Sequence, residues 1–185
     1  MKTTLGFLAG VLFIIGFFPY INAIIRGKTK PAKVSWLIWL STDLITFSAM
    51  VVSGTLNGQM VGVIIGAVIV TVLALIKGEK GWSKIDQFCL AGAIVGITLW
   101  IISGDPDVAI VLISAVGFLG SIPTFLSAWK NPASENRLAW TIFWLSCVCA
   151  VLAIPKLTIA DAVQPLVFFV IETIMMYLLY IRKRN

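Results

Sequence analysis

The feature that most constrains this chain is a series of seven apolar segments, each about long enough to cross a lipid bilayer as a helix. Crossing the hydrocarbon core takes roughly 20 residues at about 1.5 Å per residue. Only short polar breaks separate the segments, so neighbouring helices must run antiparallel. The sequence therefore predicts an all-α membrane protein with spans at about residues 4–25, 34–53, 57–76, 85–103, 108–129, 138–154 and 160–181.

The composition of the chain supports this prediction. Its mean hydropathy is +1.02; 59% of its 185 residues are hydrophobic and 12% are charged, whereas about 25% of the residues of a soluble domain are charged. A small soluble domain could not bury so much apolar surface. The first apolar segment follows Lys2 as in a signal peptide, but it lacks a small-residue cleavage site, so we expect it to be the first membrane helix.

The lysines and arginines fall almost entirely on one side of the predicted membrane protein. Basic residues in short loops are retained on the cytoplasmic side. We therefore expect a multi-pass protein of the cell membrane with its N-terminus outside and its C-terminus in the cytoplasm. The net charge of +6 then reflects topology and not nucleic-acid binding. Twelve of the 14 basic residues lie on the cytoplasmic side in this arrangement: Arg26, Lys28, Lys30, Lys33, Lys77, Lys80, Lys84, Lys130, Arg137, Arg182, Lys183 and Arg184.

An internal duplication relates the two halves of the chain. Pro19 and Trp36 recur as Pro123 and Trp140, each 104 residues later, within a helix, basic loop and helix that align without a gap. A second copy of three helices keeps the orientation of the first only if one extra span separates them. We therefore predict two parallel three-helix bundles joined by a linker helix, a 3+1+3 arrangement. The predicted parts are a first repeat at 1–76, the linker helix and its flanking loops at 77–107, and a second repeat at 108–185.

These features resemble the PQ-loop and SWEET transporter superfamily. The resemblance covers essentially the whole chain and lies in the 3+1+3 plan, a proline late in the first helix of each half, a basic turn, and a tryptophan early in the next helix. The signature proline–glutamine pair reads Pro19-Tyr20 in the first half and Pro123-Thr124 in the second. The chain is also similar to the PnuC vitamin transporters, which share the plan and tryptophan-rich motifs. The resemblance implies transport of a small solute.

Two carboxylic acids interrupt the apolar segments, Asp43 midway through the second and Glu172 midway through the seventh. A charged group at a helix centre costs about 2.5 to 3.5 kcal/mol on insertion scales, so such residues usually face an interior cavity and mark a substrate or proton path. Desolvation favours the neutral acid, which suits a group that takes up and releases protons. We predict that both residues bind solute and couple its movement to protons. The alternative is a carboxyl that only bridges two helices.

Four tryptophans accompany these acids at helical spacing. Trp36, Trp39 and Asp43 lie three and four residues apart on one helix face, and Trp140 and Trp144 occupy the corresponding helix of the second half. Because tryptophan rings attract cations, we predict that they wall a cavity for a solute with an apolar or cationic part. The alternative is anchoring at the headgroup level, where tryptophan is enriched.

Pro19 and Pro123 each fall late in a predicted helix. A proline removes a backbone donor and clashes with the preceding turn, which kinks or loosens the helix. We predict that the two prolines form paired hinges for one side of the cavity. The alternative is that neighbouring helices simply satisfy the freed backbone groups.

Small and amide residues mark two further features. A glycine at every fourth position predicts close helix packing within the first bundle, with a homo-oligomer interface as the alternative. Three amide side chains near the outer ends are predicted either to line a vestibule or to cap helices. The glycines are Gly54, Gly58, Gly62 and Gly66, and the amides are Asn57, Gln59 and Gln164.

The sequence is most consistent with a secondary transporter that exposes a small solute alternately to the two sides of the membrane. The alternative is a non-transporting receptor or assembly factor on the same fold, which binds a partner through its basic loops. The chain has no histidine, no nucleophile beside a base and no phosphate loop, so we expect neither an enzyme nor an ATP-driven pump. We expect no metal or cofactor, and as partners a small solute and the lipid bilayer.

Overall fold

Each apolar segment forms a helix in the computed structural model of the protein, which describes residues 1–79, 83–103 and 106–181. The predicted all-α fold is confirmed for these residues, and the helix limits lie close to the predicted spans. A 3₁₀ turn, Pro132–Ser134, precedes the sixth helix, and a π-helical turn, Tyr177–Ile181, continues the seventh. The helices are α1 (Lys2–Ile25), α2 (Lys33–Ser53), α3 (Gly58–Lys77), α4 (Lys84–Ser103), α5 (Pro106–Lys130), α6 (Arg137–Ala153) and α7 (Ile159–Met176).

The helices are compatible with insertion into a membrane. Large apolar side chains such as Phe7, Phe18 and Val52 are exposed on the outside of the bundle, where they match a lipid environment. A further apolar helix, α6, has 17 residues. Five stretches in the described part of the chain are long and apolar enough to span: Lys2–Ile25, Lys33–Val52, Gly58–Lys77, Val111–Lys130 and Ile159–Ile181.

The loops gather at two ends of the bundle. At one end, which we call the basic end, α1, α3 and α5 finish and α2, α4 and α6 begin. Backbone hydrogen bonds join these loops, with the Lys30 N–H donating to the Ser134 carbonyl (3.2 Å) and the Glu79 N–H to the Pro31 carbonyl (3.1 Å). At the opposite end, the Lys2 ammonium donates to the Ile154 carbonyl (2.8 Å). The predicted basic residues Lys80, Arg182, Lys183 and Arg184 lie outside the described residues.

The helices contact one another in an order that differs from their order along the chain. Both α1 and α2 pack against α3, and both α5 and α6 pack against α7. Two further contacts connect these groups, α1 with α6 and α2 with α5, while α4 packs mainly on α5. The centre of the bundle is therefore enclosed by helices from both halves of the chain.

Glycines set the distance between α1 and α3. A Cβ atom at Gly62 would lie 2.6 Å from the Gly10 carbonyl oxygen, and one at Gly58 would lie 2.5 Å from the Gly6 carbonyl oxygen. The predicted packing of the glycine repeat within the first half is thus confirmed for these residues. Gly54 does not belong to the packed face, because it ends α2 in a left-handed conformation with φ +69° and has open space around it.

Replacing Gly62 with alanine should destabilise the protein, because the Gly10 carbonyl cannot move without shifting α1. Overpacking of this kind costs about 1 to 3 kcal/mol, and we expect a lower melting temperature of the purified protein in detergent. Gly92→Ala is the matched control, since its new Cβ would sit 3.5 Å from Leu119, an ordinary contact, and alanine favours a helix. Equal melting temperatures for the two variants would contradict the close α1–α3 contact.

Candidate functional site

At the centre of the bundle, five helices (α1, α2, α3, α6 and α7) surround a cavity. Five of the six residues predicted to bind solute line it: Asp43, Trp36, Trp39, Trp140 and Glu172. The remaining lining is apolar: Phe13, Phe17, Val63, Ala67, Phe143, Phe168 and Ile171. The centre of a water molecule can move within about 50 Å³ of it, which is room for a few waters. The cavity is therefore a small aromatic chamber that contains two carboxyl groups.

The wall formed by α2 follows from its sequence spacing. Trp36, Trp39 and Asp43 fall on one face of the helix, and that face is turned toward the cavity. The Trp36 and Trp39 rings meet edge to face at 5.2 Å between centroids. The Trp39 Nε1–H donates to the Gly117 carbonyl oxygen of α5 at 3.1 Å. This hydrogen bond fixes the ring between the halves.

The two carboxyl groups of the cavity are buried, with each residue 6% exposed. In the part of the chain that the structure describes, Asp43 has no hydrogen bond or charged partner. The Glu172 Oε2 atom is likewise buried without a hydrogen-bond partner among those residues. A buried polar atom without a partner costs about 1 to 3 kcal/mol. Such groups are often explained by a ligand or water that supplies the missing donor.

Trp36 and Trp140 do not lie at a lipid-facing surface. Both side chains are buried in the main core of the bundle. The centroids of the Trp140 and Trp39 rings are 6.4 Å apart. The alternative interpretation, that they anchor the protein at the lipid headgroups, is therefore not supported by their positions.

Trp144 lies apart from the other predicted cavity residues and is not among those that line the cavity. Its Nε1–H donates to the Thr173 hydroxyl oxygen at 3.0 Å, and its ring packs against Phe169 at 6.2 Å. The buried face of α6 is centred on Phe143. The next residue, Trp144, is turned away by about 100° and contacts α7.

A layer of hydrogen-bonded polar side chains lies one helical turn from the cavity, toward the opposite end. Gln59 donates to the Ser146 hydroxyl (3.3 Å) and to the Cys147 sulfur (3.2 Å). The side-chain amide N–H of Gln164 donates to the side-chain oxygen of Gln59 (3.2 Å). The side-chain oxygen of Gln164 accepts from the side-chain amide of Asn57 (3.0 Å). We call these five residues, with Gln59 at their centre, the glutamine layer. It joins α3, α6 and α7 across the bundle.

The glutamine layer lies between the cavity and a wide pocket at the opposite end, which we call the vestibule. The centre of a water molecule can move within about 480 Å³ of the vestibule, which is lined by Asn57 and Gln59 among others. Asn57 also caps α3, since its side chain accepts from the Met60 N–H at 2.9 Å. The two interpretations left open by the sequence, vestibule lining and helix capping, therefore both hold for Asn57. Gln164 is buried in the glutamine layer.

A second polar layer lies next to the cavity on the side of the basic end. There the Tyr20 hydroxyl donates to Glu135 Oε2 at 3.0 Å, and the Trp140 Nε1–H donates to the same oxygen at 2.8 Å. The Tyr20 ring lies 5.5 Å from the Trp36 ring and 6.2 Å from the Trp140 ring. We call the set of Glu135, Tyr20 and Trp140 the latch, because it connects α1 to the start of α6.

Glu135 is a functional candidate that sequence reasoning missed. It lies in the loop before α6, where NPASENR reads as a solvated turn, yet it is only 5% exposed. Its pKa is about 7 instead of 4.5; burial raises it most and Glu79 raises it further, while the hydrogen bonds from Trp140 and Tyr20 lower it. The available signal was position, since this acid lies two residues before α6 and five residues before Trp140.

The two predicted hinge prolines lie inside α1 and α5. The Pro19 carbonyl accepts a hydrogen bond from the Asn136 side chain at 3.3 Å. Next to Pro123, the Thr124 N–H donates to the Ser35 hydroxyl of α2 at 3.2 Å. Each proline region is thus tied to a helix or loop of the other half. Whether the prolines act as hinges remains a prediction.

No protein-family model, curated protein or solved structure matches the chain significantly. Its function therefore has to be inferred from its own cavity and from the helices around it.

Proposed function

We propose that the protein is a membrane transporter that moves a small solute by alternating access between two three-helix repeats. The observation that carries this proposal is the central cavity, in which Asp43 and Glu172 lie among aromatic rings without a cationic partner in the described residues. Buried carboxyls of this kind mark substrate and ion pathways in membrane proteins. The lining comes from both halves of the chain, as alternating access requires.

The helix contacts support a 3+1+3 arrangement in this proposal. Packing of α1 and α2 on α3, and of α5 and α6 on α7, is what two repeats of the same three-helix bundle would produce. In this arrangement α4 is the linker. The positive-inside rule then places the basic end in the cytoplasm and the N-terminus outside.

The layers on either side of the cavity support an alternating mechanism. In the structure, the glutamine layer and the latch flank the cavity on two sides, and the cavity itself holds only a few waters. In this proposal, a solute larger than this enters when one layer opens. Opening of one layer while the other stays closed is the defining property of alternating access.

The chemistry of the cavity favours a solute that carries a positive charge beside an apolar part. Two acids without a cationic partner attract a cation, and the faces of Trp36, Trp39 and Trp140 add cation–π attraction of about 0.5 to 2 kcal/mol each. In the neutral form, the same acids could instead carry protons with the solute. Small organic amines are therefore the first class to test.

Uptake by the purified protein in liposomes tests the proposal. We expect saturable uptake of at least one labelled compound from a panel of amines, amino acids, sugars and vitamins, and faster uptake when a pH gradient is imposed. Protein-free liposomes are the control. No uptake across the whole panel would contradict transport and favour the alternative, a receptor or assembly factor on the same fold.

Replacement of Pro19 and Pro123 together by alanine should slow uptake, because regular helices would resist the bending that opens one side of the cavity. Solute binding should persist, since neither proline lines the cavity. Pro165→Ala is the matched control, because this proline also lies inside a helix, α7, but is not a predicted hinge. An unchanged uptake rate in the double variant would count against the hinge hypothesis.

A further inference from the structure

The latch contains an acid whose environment is unusual for a loop residue. Glu135 Oε2 receives both hydrogen bonds, from Tyr20 and Trp140, while Glu135 Oε1 is buried with no hydrogen-bond partner among the described residues. The two hydrogen bonds stabilise negative charge on Oε2, whereas burial without a donor destabilises negative charge on Oε1. Its protonation state and its burial are therefore coupled.

Titratable groups approach Glu135 from three directions. Tyr20 comes from α1, Glu79 from the loop after α3, and Glu172 from α7, close enough for their charges to interact with that of Glu135. Glu79 itself accepts a hydrogen bond from the Ser127 hydroxyl of α5. The nearest basic residues along the loops are Lys30, whose N–H bonds to the Ser134 carbonyl, and Arg137. Neither forms a hydrogen bond with the Glu135 carboxyl.

We propose that Glu135 is a proton-binding site, separate from Asp43 and Glu172, that closes the basic end of the cavity when protonated and releases it when deprotonated. The inference deepens the proposed function, because the closed and released states would be two states of the transport cycle. The ligand of the site is the proton itself.

The direction of the effect follows from linkage between protonation and burial. In the closed state the pKa of Glu135 is about 7, mainly because burial disfavours the carboxylate, whereas a hydrated glutamate has a pKa of about 4.5. The closed state therefore binds the proton more tightly than a released state in which water reaches Glu135. Closure is fully favoured below pH 4.5 and is lost as the pH rises toward about 7.

The hydrogen bonds of the latch oppose this effect but do not offset it. Trp140 and Tyr20 stabilise the carboxylate and lower the pKa, yet burial remains the largest influence. Each pH unit between the two pKa values changes the ratio of released to closed protein by about tenfold, so the full change is about 300-fold. This is enough to convert a closed population into a released one.

A distance measurement at the basic end tests the site without knowledge of the solute. The full chain, with Cys89, Cys147 and Cys149 replaced by alanine, would carry spin labels at Arg26→Cys and Leu138→Cys. These are two exposed positions at the basic end, one directly after α1 and one at the start of α6. Double electron–electron resonance in lipid nanodiscs would then report their separation. We expect a short distance near pH 4.5 and growth of a longer one as the pH approaches 8.

Three variants separate a proton site from a merely structural contact. Glu135→Gln cannot lose a proton, so its distance should stay short at every pH. Glu79→Gln removes a charge that raises the pKa of Glu135, so the pH-dependent change should be smaller than in the parent. Asp86→Asn, at another acid of the same end, should behave as the parent, because Asp86 is not among the charges that act on Glu135.

The proposal is overturned if the distance in the parent does not change over this pH range, or if Glu135→Gln keeps the change. Should Glu135→Gln not fold, Glu79→Gln decides alone, since an undiminished pH response in it would also overturn the proposal. The outcome is independent of uptake. If the protein takes up solute but the distance does not change with pH, the proposed Glu135 site is disproved. If the distance changes with pH but no solute is taken up, the proposed transport function is disproved.

Discussion

Asp43→Asn is expected to abolish accumulation of solute against its concentration gradient in liposomes with an imposed pH gradient. Asparagine has nearly the same shape as aspartate but can neither lose a proton nor carry a charge. Asp43 lines the cavity and has no partner among the described residues, so the variant leaves no unpaired charge behind and should fold. Uptake should be measured at several solute concentrations, with and without the gradient.

The size of the effect depends on what Asp43 does. If it contacts a cationic solute, loss of a charged hydrogen bond of about 1.5 to 3 kcal/mol weakens binding by about 10- to 100-fold. If it carries the proton, downhill exchange should survive while accumulation is lost. Asp161→Asn, at a half-buried acid that accepts a hydrogen bond from Thr158 at the opposite end, is the matched control. Accumulation by Asp43→Asn equal to that of the parent would exclude Asp43 from both roles.

In the ungapped alignment of the two halves, Asp43 has no acidic counterpart. The residue 104 positions later is Cys147, which lies in the glutamine layer and contacts Gln59 at 3.2 Å. Likewise Glu172 corresponds to Val68 in the first half. The two halves therefore share Pro19 with Pro123 and Trp36 with Trp140 but differ in their polar groups. The two acids of the cavity therefore lie at positions where the halves differ, one in each half.

Helix positions could be predicted from sequence because apolar segment length is a direct consequence of bilayer thickness. The grouping of Trp36, Trp39 and Asp43 on one face was also predictable from helical spacing alone. Helix rotation was harder to predict, and Trp144 shows why. In a membrane helix both the lipid side and the core side are apolar, so periodicity does not state which tryptophan faces inward.

Polar contacts between distant segments could not be predicted in the same way. Glu135 lies 115 residues from its donor Tyr20, and nothing local distinguishes it from a solvated loop acid. The same holds for Gln59 and Gln164, whose hydrogen bond joins residues 105 positions apart. Such contacts depend on how helices from the two halves meet. That information is spread over the whole packing of the bundle.

Gln59→Ala should open the path between the vestibule and the cavity. The rate at which the native Cys147 thiol reacts with a thiol reagent can detect this opening. The Gln59 side chain is the centre of the glutamine layer and bonds to Gln164, Ser146 and Cys147. The Cys147 thiol is free and fully buried, so a thiol reagent should react with the parent very slowly. Removal of these hydrogen bonds, at about 1 to 3 kcal/mol, should raise the reaction rate about tenfold or more.

Reaction of Cys147 with N-ethylmaleimide would be followed in a Cys89→Ala, Cys149→Ala background, so that one thiol remains. Gln87→Ala is the matched control, since it removes the same side chain from an exposed position on α4. Gln164→Ala should act in the same direction as Gln59→Ala because it breaks the other side of the hydrogen bond. A rate in Gln59→Ala equal to that of the control would show that the glutamine layer does not close the cavity, and opening of the opposite end would then have to involve other contacts between α1 and α6.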